Sequence, residues 1–437
     1  MARMNRPVSI RNGLPSRRAS LQLITSVLRR DMSLEDAAAN SKLFTSLSVR
    51  DRAFAWRLTL SCLRHLGEID KIIDYSLKRR LPKQSHRVHD LLRLGAAQLL
   101  FANTPPHAAV NSTVDLVDHS IARYRDLVNA VLRRIVREGG EYIKTLDSFQ
   151  LNTPPWLWDS WSRAYGTANA RQIAAVHCSV PPLDITTKHT VSSGLTVEAR
   201  RMHKGSLRLP LDGPVTEIPG FLDGLWWVQD LAATFPVKMM GEVKQQRVID
   251  LCAAPGGKAA QLCDSGAKVT SIDISEARLV TLKENLDRLS FAAEIVCADA
   301  RVWRPKKRTK FVLLDAPCTG TGTIRRHPDI LYRRTQKQVE RSVQLLDQLL
   351  AAASEMLDIG GVLVFSTCSL QPEEGAQRVD SFLELQPGFV REPIGRYLPT
   401  GFAFLETKQG DLRTLPSYLS EAGGMDGFFA ARLKRIF

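Results

Sequence analysis

The second half of the chain is constrained most by its rhythm, in which short β-branched apolar runs alternate with helical stretches. The runs are Val248-Ile249-Asp250-Leu251, Val269-Thr270-Ser271-Ile272-Asp273, Ala293-Glu294-Ile295-Val296, Phe311-Val312-Leu313-Leu314-Asp315 and Val362-Leu363-Val364-Phe365. Phe428-Phe429-Ala430-Ala431-Arg432-Leu433 reads as a last strand. Strands joined through helices pair in parallel, with helices packed on the sheet faces. Residues 229–437 are therefore expected to form an α/β domain around a parallel sheet.

The N-terminal third has a different period. Leu21, Ile24, Val27 and Leu28 recur at helical spacing, as do Val128, Val131, Leu132 and Ile135. Leu91, Leu92, Leu94, Leu99 and Leu100 belong to another apolar run, and Thr104-Pro105-Pro106 interrupts the pattern. Strand alternation is absent, so residues 1–140 are expected to form an all-α helical bundle. A changeover is read at Glu138-Gly139-Gly140. Asn152-Thr153-Pro154-Pro155 then leads into Trp156, Trp158 and Trp161, read as core aromatics. Short strands with Gly and Pro turns follow over 183–228, so 141–228 is expected to be a small α+β linker module. Three domains suit 437 residues at roughly 150 residues each.

Charge is distributed unevenly. The net charge is +15, and residues 1–140 hold 24 basic against 12 acidic side chains, leaving 36 against 33 for the rest. A basic module on a nearly neutral body points to a polyanionic partner held by phosphate contacts. With 44% hydrophobic residues the chain is no disordered polymer. A run of about 18 apolar residues is lacking, so no transmembrane helix is expected. The seven cysteines include no Cys-x-x-Cys pair, which suits a reducing, cytoplasmic compartment better than a disulfide framework. The first 30 residues contain seven Arg and no acid, with no apolar segment, and read as a basic arm rather than a secretion signal.

The chemistry-bearing residues cluster where strands end. The first strand runs into Cys252-Ala253-Ala254-Pro255-Gly256-Gly257-Lys258, small residues that let backbone approach a ligand at a helix start. A phosphate-binding P-loop is excluded, because Cys252 stands where its first Gly belongs and Ala259 replaces the Mg²⁺-binding hydroxyl. Asp273, Asp299 and Asp315 end the next three strands. An acid at the offset of Asp273 typically bonds ribose hydroxyls, and three in series suit a nucleoside ligand. Cys318 and Cys368 follow the fourth and fifth strands. A lone cysteine is ordinarily an inert buried hydrophobe, but both of these fall at the ligand edge. No zinc pair is expected, since neither has a Cys or His at ligand spacing. Covalent catalysis fits better. Carbon 5 of cytosine is a poor nucleophile until a thiolate adds to carbon 6, and an acid bonded to N3 and the amine would stabilise the added state.

The 252–258 loop, Asp315-Ala316-Pro317-Cys318 and Thr367-Cys368-Ser369 closely resemble the RNA (cytosine-5)-methyltransferase family. The run from Thr319 to Asp329 and Gln371-Pro372-Glu373-Glu374 extend the likeness. Leu92-Arg93-Leu94-Gly95-Ala96, Pro106-His107-Ala108-Ala109-Val110-Asn111 and Asn129-Ala130-Val131-Leu132-Arg133-Arg134 resemble NusB, an RNA-binding antitermination factor. Together they resemble the bacterial Sun/Fmu (RsmB) type. That resemblance implies a NusB-like bundle and a Rossmann-like class I methyltransferase domain that uses S-adenosylmethionine on 16S ribosomal RNA. It also implies that Cys252, Ala253, Ala254, Pro255, Gly256, Gly257 and Lys258 hold the methionine end of the cofactor. Asp273 would bind the ribose, Asp299 the adenine side, and Asp315 would lie between cofactor and base. Cys368 would be the nucleophile and Cys318 would assist product release. A monomer, with no metal and no membrane, is expected.

Chemistry alone leaves the order of the two thiols open, because related DNA enzymes use the Pro-Cys thiol. A tRNA methyltransferase, a DNA methyltransferase and a non-catalytic RNA-binding factor remain as alternatives. The cluster Arg325, Arg326, Arg333, Arg334, Lys337 and Arg341 is expected to hold phosphates, whereas Arg301, Arg304, Lys306, Lys307, Arg308 and Lys310 read as a solvated run.

Overall fold

The computed structural model describes residues 13–189, 198–210 and 213–437. The first twelve residues of the expected basic arm lie outside them. The chain divides into two compact units. One comprises Met1–Trp158 together with His327–Arg333, and the other Asp159–Arg326 and Arg334–Phe437.

The first unit is helical. Helices Leu14–Arg30, Val49–Arg64, Leu66–Ser76, His86–Leu100, Pro106–Val114 and Arg125–Lys144 bury a core that includes Ile24, Leu58, Ile69, Leu91, Leu94, Leu132 and Ile135. Pro106 occupies the first turn of its helix, where a missing N–H goes unnoticed. Gly95 is required by packing, since a Cβ there would lie 2.6 Å from the Leu132 side chain. Gly139 and Gly140, read from sequence as a changeover, lie inside the helix Arg125–Lys144. A Cβ on Gly139 would meet Ile72 at 2.9 Å, so close helix packing accounts for that glycine. The compact unit continues to Trp158.

Seven residues from far along the chain complete this unit. The Tyr332 ring packs against its apolar core, and the Tyr332 hydroxyl donates to the Leu63 carbonyl at 2.8 Å. Asp329 accepts the Leu34 N–H at 3.3 Å, and Arg333 donates to the Asp31 carbonyl at 3.2 Å. Residues 327–333 thus form a strap that interrupts the stretch expected to be one continuous domain.

The second unit holds two sheets. The smaller contains β1 (Leu183–Thr187), β2 (Arg200–His203), β3 (Ser206–Leu209) and β4 (Trp226–Val228), in the antiparallel order β2-β3-β1-β4. The larger contains β5 (Arg247–Leu251), β6 (Lys268–Asp273), β7 (Glu294–Cys297), β8 (Thr309–Asp315), β9 (Leu357–Thr367), β10 (Phe389–Arg391), β11 (Leu412–Thr414) and β12 (Phe428–Arg435). Its order is β10-β12-β9-β8-β5-β6-β7, with β11 also paired to β12. Strands β5 to β9 are parallel, and β12 runs antiparallel to β9. Alternate residues face opposite sides. Ile249, Val312, Leu363 and Phe365 pack with Leu346 and Leu350 on one face; Val248, Leu313, Val362 and Val364 pack with Leu262 and Phe235 on the other. The helix Gln336–Glu355 starts at a capping box formed by Thr335 and Gln338. Strand order reverses at β5, so the crevice beyond its carboxyl end is where such sheets bind ligands.

Candidate active site

Beyond β5 the chain turns sharply. Cys252 has φ 60° and Gly256 φ 105°, and the helix Gly257–Asp264 begins directly after. A side chain at Gly256 would be strained and would meet Leu282 at 3.1 Å. Burial, then the charges of Asp273 and Asp315, push the Cys252 thiol up to about 12, so it is inert at neutral pH.

The acids stand at neighbouring strand ends. Asp273 accepts the Ala254 N–H at 3.2 Å and the Ser275 N–H at 3.0 Å, and Arg278 lies 3.4 Å away. Asp299 accepts the Arg301 N–H at 2.9 Å and its guanidinium at 3.0 Å, contacts that hold its carboxyl below the usual range. Asp315 pairs with Lys258 at 2.6 Å and accepts from the Ser366 hydroxyl at 2.9 Å. Asp250 is fully buried, with no hydrogen-bond partner among the described residues. Burial first, then the negative charge of Asp315, raises its carboxyl to about 8.

The two thiols meet because β8 and β9 are neighbours in register. Asp315 pairs with Ser366, and the chain reaches Cys318 three residues later and Cys368 two residues later. Their sulfurs lie 3.5 Å apart. The Cys368 contact, then burial, holds the Cys318 thiol well above its ordinary pKa and keeps it protonated. Gly322 fastens the loop after Cys318: its N–H donates to the Cys368 carbonyl at 2.9 Å, and its carbonyl accepts the Gly427 N–H at 2.8 Å. A Cβ there would lie 1.9 Å from the Gly427 oxygen, so no other residue fits.

The expectation for the arginines near Cys318 is corrected. Arg325 is wholly buried, paired to Asp230 at 2.6 Å and Asp426 at 2.7 Å. Arg326 binds the same two acids, Arg333 belongs to the strap, and Arg334 donates to the Thr319 carbonyl at 3.1 Å. Arg325, Arg326 and Arg334 buttress the loop, and the charges of Arg325, Arg326 and Arg333 are paired to acids within the protein. Lys337 and Arg341 are exposed. In the other cluster, Arg301 pairs with Asp299 and Arg304 with Glu355. Sequence reading assigned no role to Asp230, Asp426 or Gly427. The only sequence signal near Glu374 was its motif.

A switch-point sheet with a small-residue loop, acids on successive strands and two thiols beyond the next pair defines a Rossmann-like methyltransferase domain. The comparisons narrow this further. The model described as 16S rRNA methyltransferase RsmB/F matches residues 237–434, and that of the NusB family matches residues 14–137. Ribosomal RNA small subunit methyltransferase B of Serratia proteamaculans (strain 568) is 33% identical over 433 residues, covering 94% of this chain and 97% of the relative. The protein of the same name from Erwinia tasmaniensis is 31% identical, covering 94% of this chain and 96% of that relative. The chain belongs to the RsmB/F family of 16S rRNA methyltransferases. Among solved structures, PH0851 shares the fold with a TM-score of 0.74 at 22% identity, covering 97% of this chain and 99% of that one. No helix among the described residues is long and apolar enough to cross a membrane.

Proposed function

We propose that this protein transfers a methyl group from S-adenosylmethionine to carbon 5 of a cytosine in 16S ribosomal RNA, through a covalent bond between Cys368 and the base. The meeting of Cys318 and Cys368 at the edge that carries Asp315 supports this reading most directly. A merely binding protein has no use for two apposed thiols beside an ion-paired acid.

The family's methyl donor supplies an electrophilic methyl group when bound. The residues present fit it. The backbone turn at Cys252–Gly256 leaves the first N–H groups of the following helix unpaired within the helix, as a carboxylate requires. Asp273 accepts one N–H at each oxygen and keeps lone pairs that ribose hydroxyls would use, whereas both oxygens of Asp299 are held by Arg301, which would have to give way for the adenine side. Lys258 and Ser366 hold Asp315 from two sides, a fixed carboxylate that supports a place for it between cofactor and base.

The Cys368 thiolate adds to carbon 6 of cytosine, and the electron pair moves to carbon 5. The proton given up by the Cys368 thiol goes to N3, where Asp315 shares it while accepting from the exocyclic amine, and so stabilises the added ring. Carbon 5 then takes the methyl group as its bond to the donor's sulfur breaks, and gives up its own proton to water. The ring electrons expel Cys368, with Cys318 beside it assisting release. A duplex hides carbons 5 and 6, so the target cytosine must be unstacked.

Covalent trapping tests the reading. The full chain, Cys318→Ala and Cys368→Ala are incubated with 16S RNA and labelled S-adenosylmethionine, then run on a denaturing gel. A persistent RNA-linked band is expected with Cys318→Ala. Neither band nor label is expected with Cys368→Ala. The reversed pattern would transfer the nucleophile to Cys318, and methylation of DNA or tRNA in preference to 16S RNA would refute the substrate.

A further inference from the structure

Glu374 belongs to the Gln371-Pro372-Glu373-Glu374 motif, and the chemistry above gives it no part. Its carboxylate is fully buried. Three donors converge on it: the Thr319 N–H at 2.8 Å, the Thr319 hydroxyl and the Ser369 hydroxyl. Thr319 directly follows Cys318, and Ser369 directly follows Cys368. One carboxylate therefore joins the residue after one thiol to the residue after the other.

The surroundings hold this clamp in place. The Ser369 hydroxyl also accepts the Gln371 N–H at 3.0 Å and lies 3.2 Å from the Thr321 hydroxyl. Trp161 donates to the Gln371 side chain at 3.0 Å, and Gln371 donates to Ser160 at 2.9 Å. Arg413 holds the Ser369 carbonyl at 2.7 Å. The bond from the Gly322 N–H to the Cys368 carbonyl is a second tie, between neutral groups. Hydrogen bonds to a charged acceptor are roughly twice as strong as such neutral ones.

The two thiols depend on the clamp unequally. Cys368 directly follows β9, which is laddered to β8 on one side and β12 on the other. Cys318 lies three residues beyond β8, in a loop whose next residue is held by Glu374. Loosening the clamp moves Cys318 while Cys368 stays on its strand end.

We propose that Glu374 is the positioning residue that sets the spacing of Cys318 and Cys368, and that through this spacing it governs release of the methylated base. The second half rests on the thiol roles proposed above; the first half does not. Glu374→Gln keeps the shape but replaces one acceptor oxygen with a donor, so at least one of the three donors loses its partner.

Two measurements on the full chain separate the halves. The rate at which diamide oxidises Cys318 and Cys368 to a disulfide, read by mass spectrometry without RNA, reports spacing alone. The sulfurs must close from 3.5 Å to about 2.05 Å. Glu374→Gln is expected to slow this about 10-fold, and Thr319→Val, which removes only one hydroxyl, about 3-fold. Should Glu374→Gln fail to fold, Thr319→Val carries the same comparison. Unchanged rates overturn the clamp whatever the thiols do in catalysis. With 16S RNA and S-adenosylmethionine, Glu374→Gln should accumulate the RNA-linked band, with kcat lowered and the cofactor KM unchanged. Slowed oxidation without that band overturns control of release. If Cys368→Ala still forms adducts, the fault lies in the thiol assignment and not in the clamp.

Discussion

Along the sheet edge, the acids beyond β6 and β7 are held by near neighbours in sequence. Asp299 is bound by Arg301 and Asp273 by the Ser275 N–H, each two residues on, while the Ala254 N–H reaches Asp273 from 19 residues back. Beyond β8 and β9 the partners are remote. Cys318 meets Cys368 50 residues on, Thr319 meets Glu374 55 residues on, and Arg325 meets Asp426 101 residues on. Short-range bonds form wherever the local turn forms. The thiol pair exists only when β8, β9 and the chain before β12 are all in place. The cofactor side should therefore tolerate damage that dismantles the thiol side.

The largest test of that contrast is Arg325→Met. It leaves the two buried carboxylates of Asp230 and Asp426 to share the Arg326 guanidinium, so the loss should fall at the low end of the about 3–5 kcal/mol that removing one partner of a buried pair costs. Urea denaturation should show this loss, and diamide oxidation of the thiols should slow with it. A loss under about 1 kcal/mol, the scale of a surface pair, would break the contrast.

Asp299→Ala probes the other side. Its Arg301 partner is exposed, so little stability should change. Cofactor affinity, measured by calorimetry, should weaken about 10-fold, or roughly 1.4 kcal/mol. The rate of thiol oxidation should stay the same. If both quantities move together, the two sides are not independent.

A pH-dependent effect sharpens the comparison at Asp250, a buried acid of this sheet with no hydrogen-bond partner among the described residues. Its carboxyl is raised to about 8 by burial and by Asp315, with Lys258 opposing and Asp273 adding to the rise. In the unfolded chain an Asp titrates near about 3.9. A raised carboxyl contributes stability that is fully present below the unfolded value and lost as pH rises through the folded one. Asp250→Asn does not titrate, so thermal melts should show the variant gaining on the parent between pH values of about 4 and 8 and holding level above. A difference that is constant across this window would show that Asp250 does not titrate as its burial dictates.

Much of this was legible in the chain. Helical spacing located the bundle, because a buried face leaves a 3.6-residue period in any sequence. Five parallel strands, a terminal strand at Phe428 and the ends where acids and thiols stand were equally plain. Pairing was hidden. Arg325 and Arg326 looked like a surface patch because sequence displays a charge without its counter-ion. Tyr332 gave no sign that it completes a helical core begun some 270 residues earlier, at Leu63.

By itself, then, the sequence determined the element types, the composition of each strand end and the family to which the chain belongs. Those properties are local, since periodicity and turn chemistry act over a few residues. Tertiary structure alone decided that β8 lies beside β9 with Asp315 opposite Ser366, that two sulfurs stand 3.5 Å apart, and that one buried carboxylate spans them. Strand order and register are set by how whole faces pack, and a one-residue slip would turn every side chain of a strand to the other face.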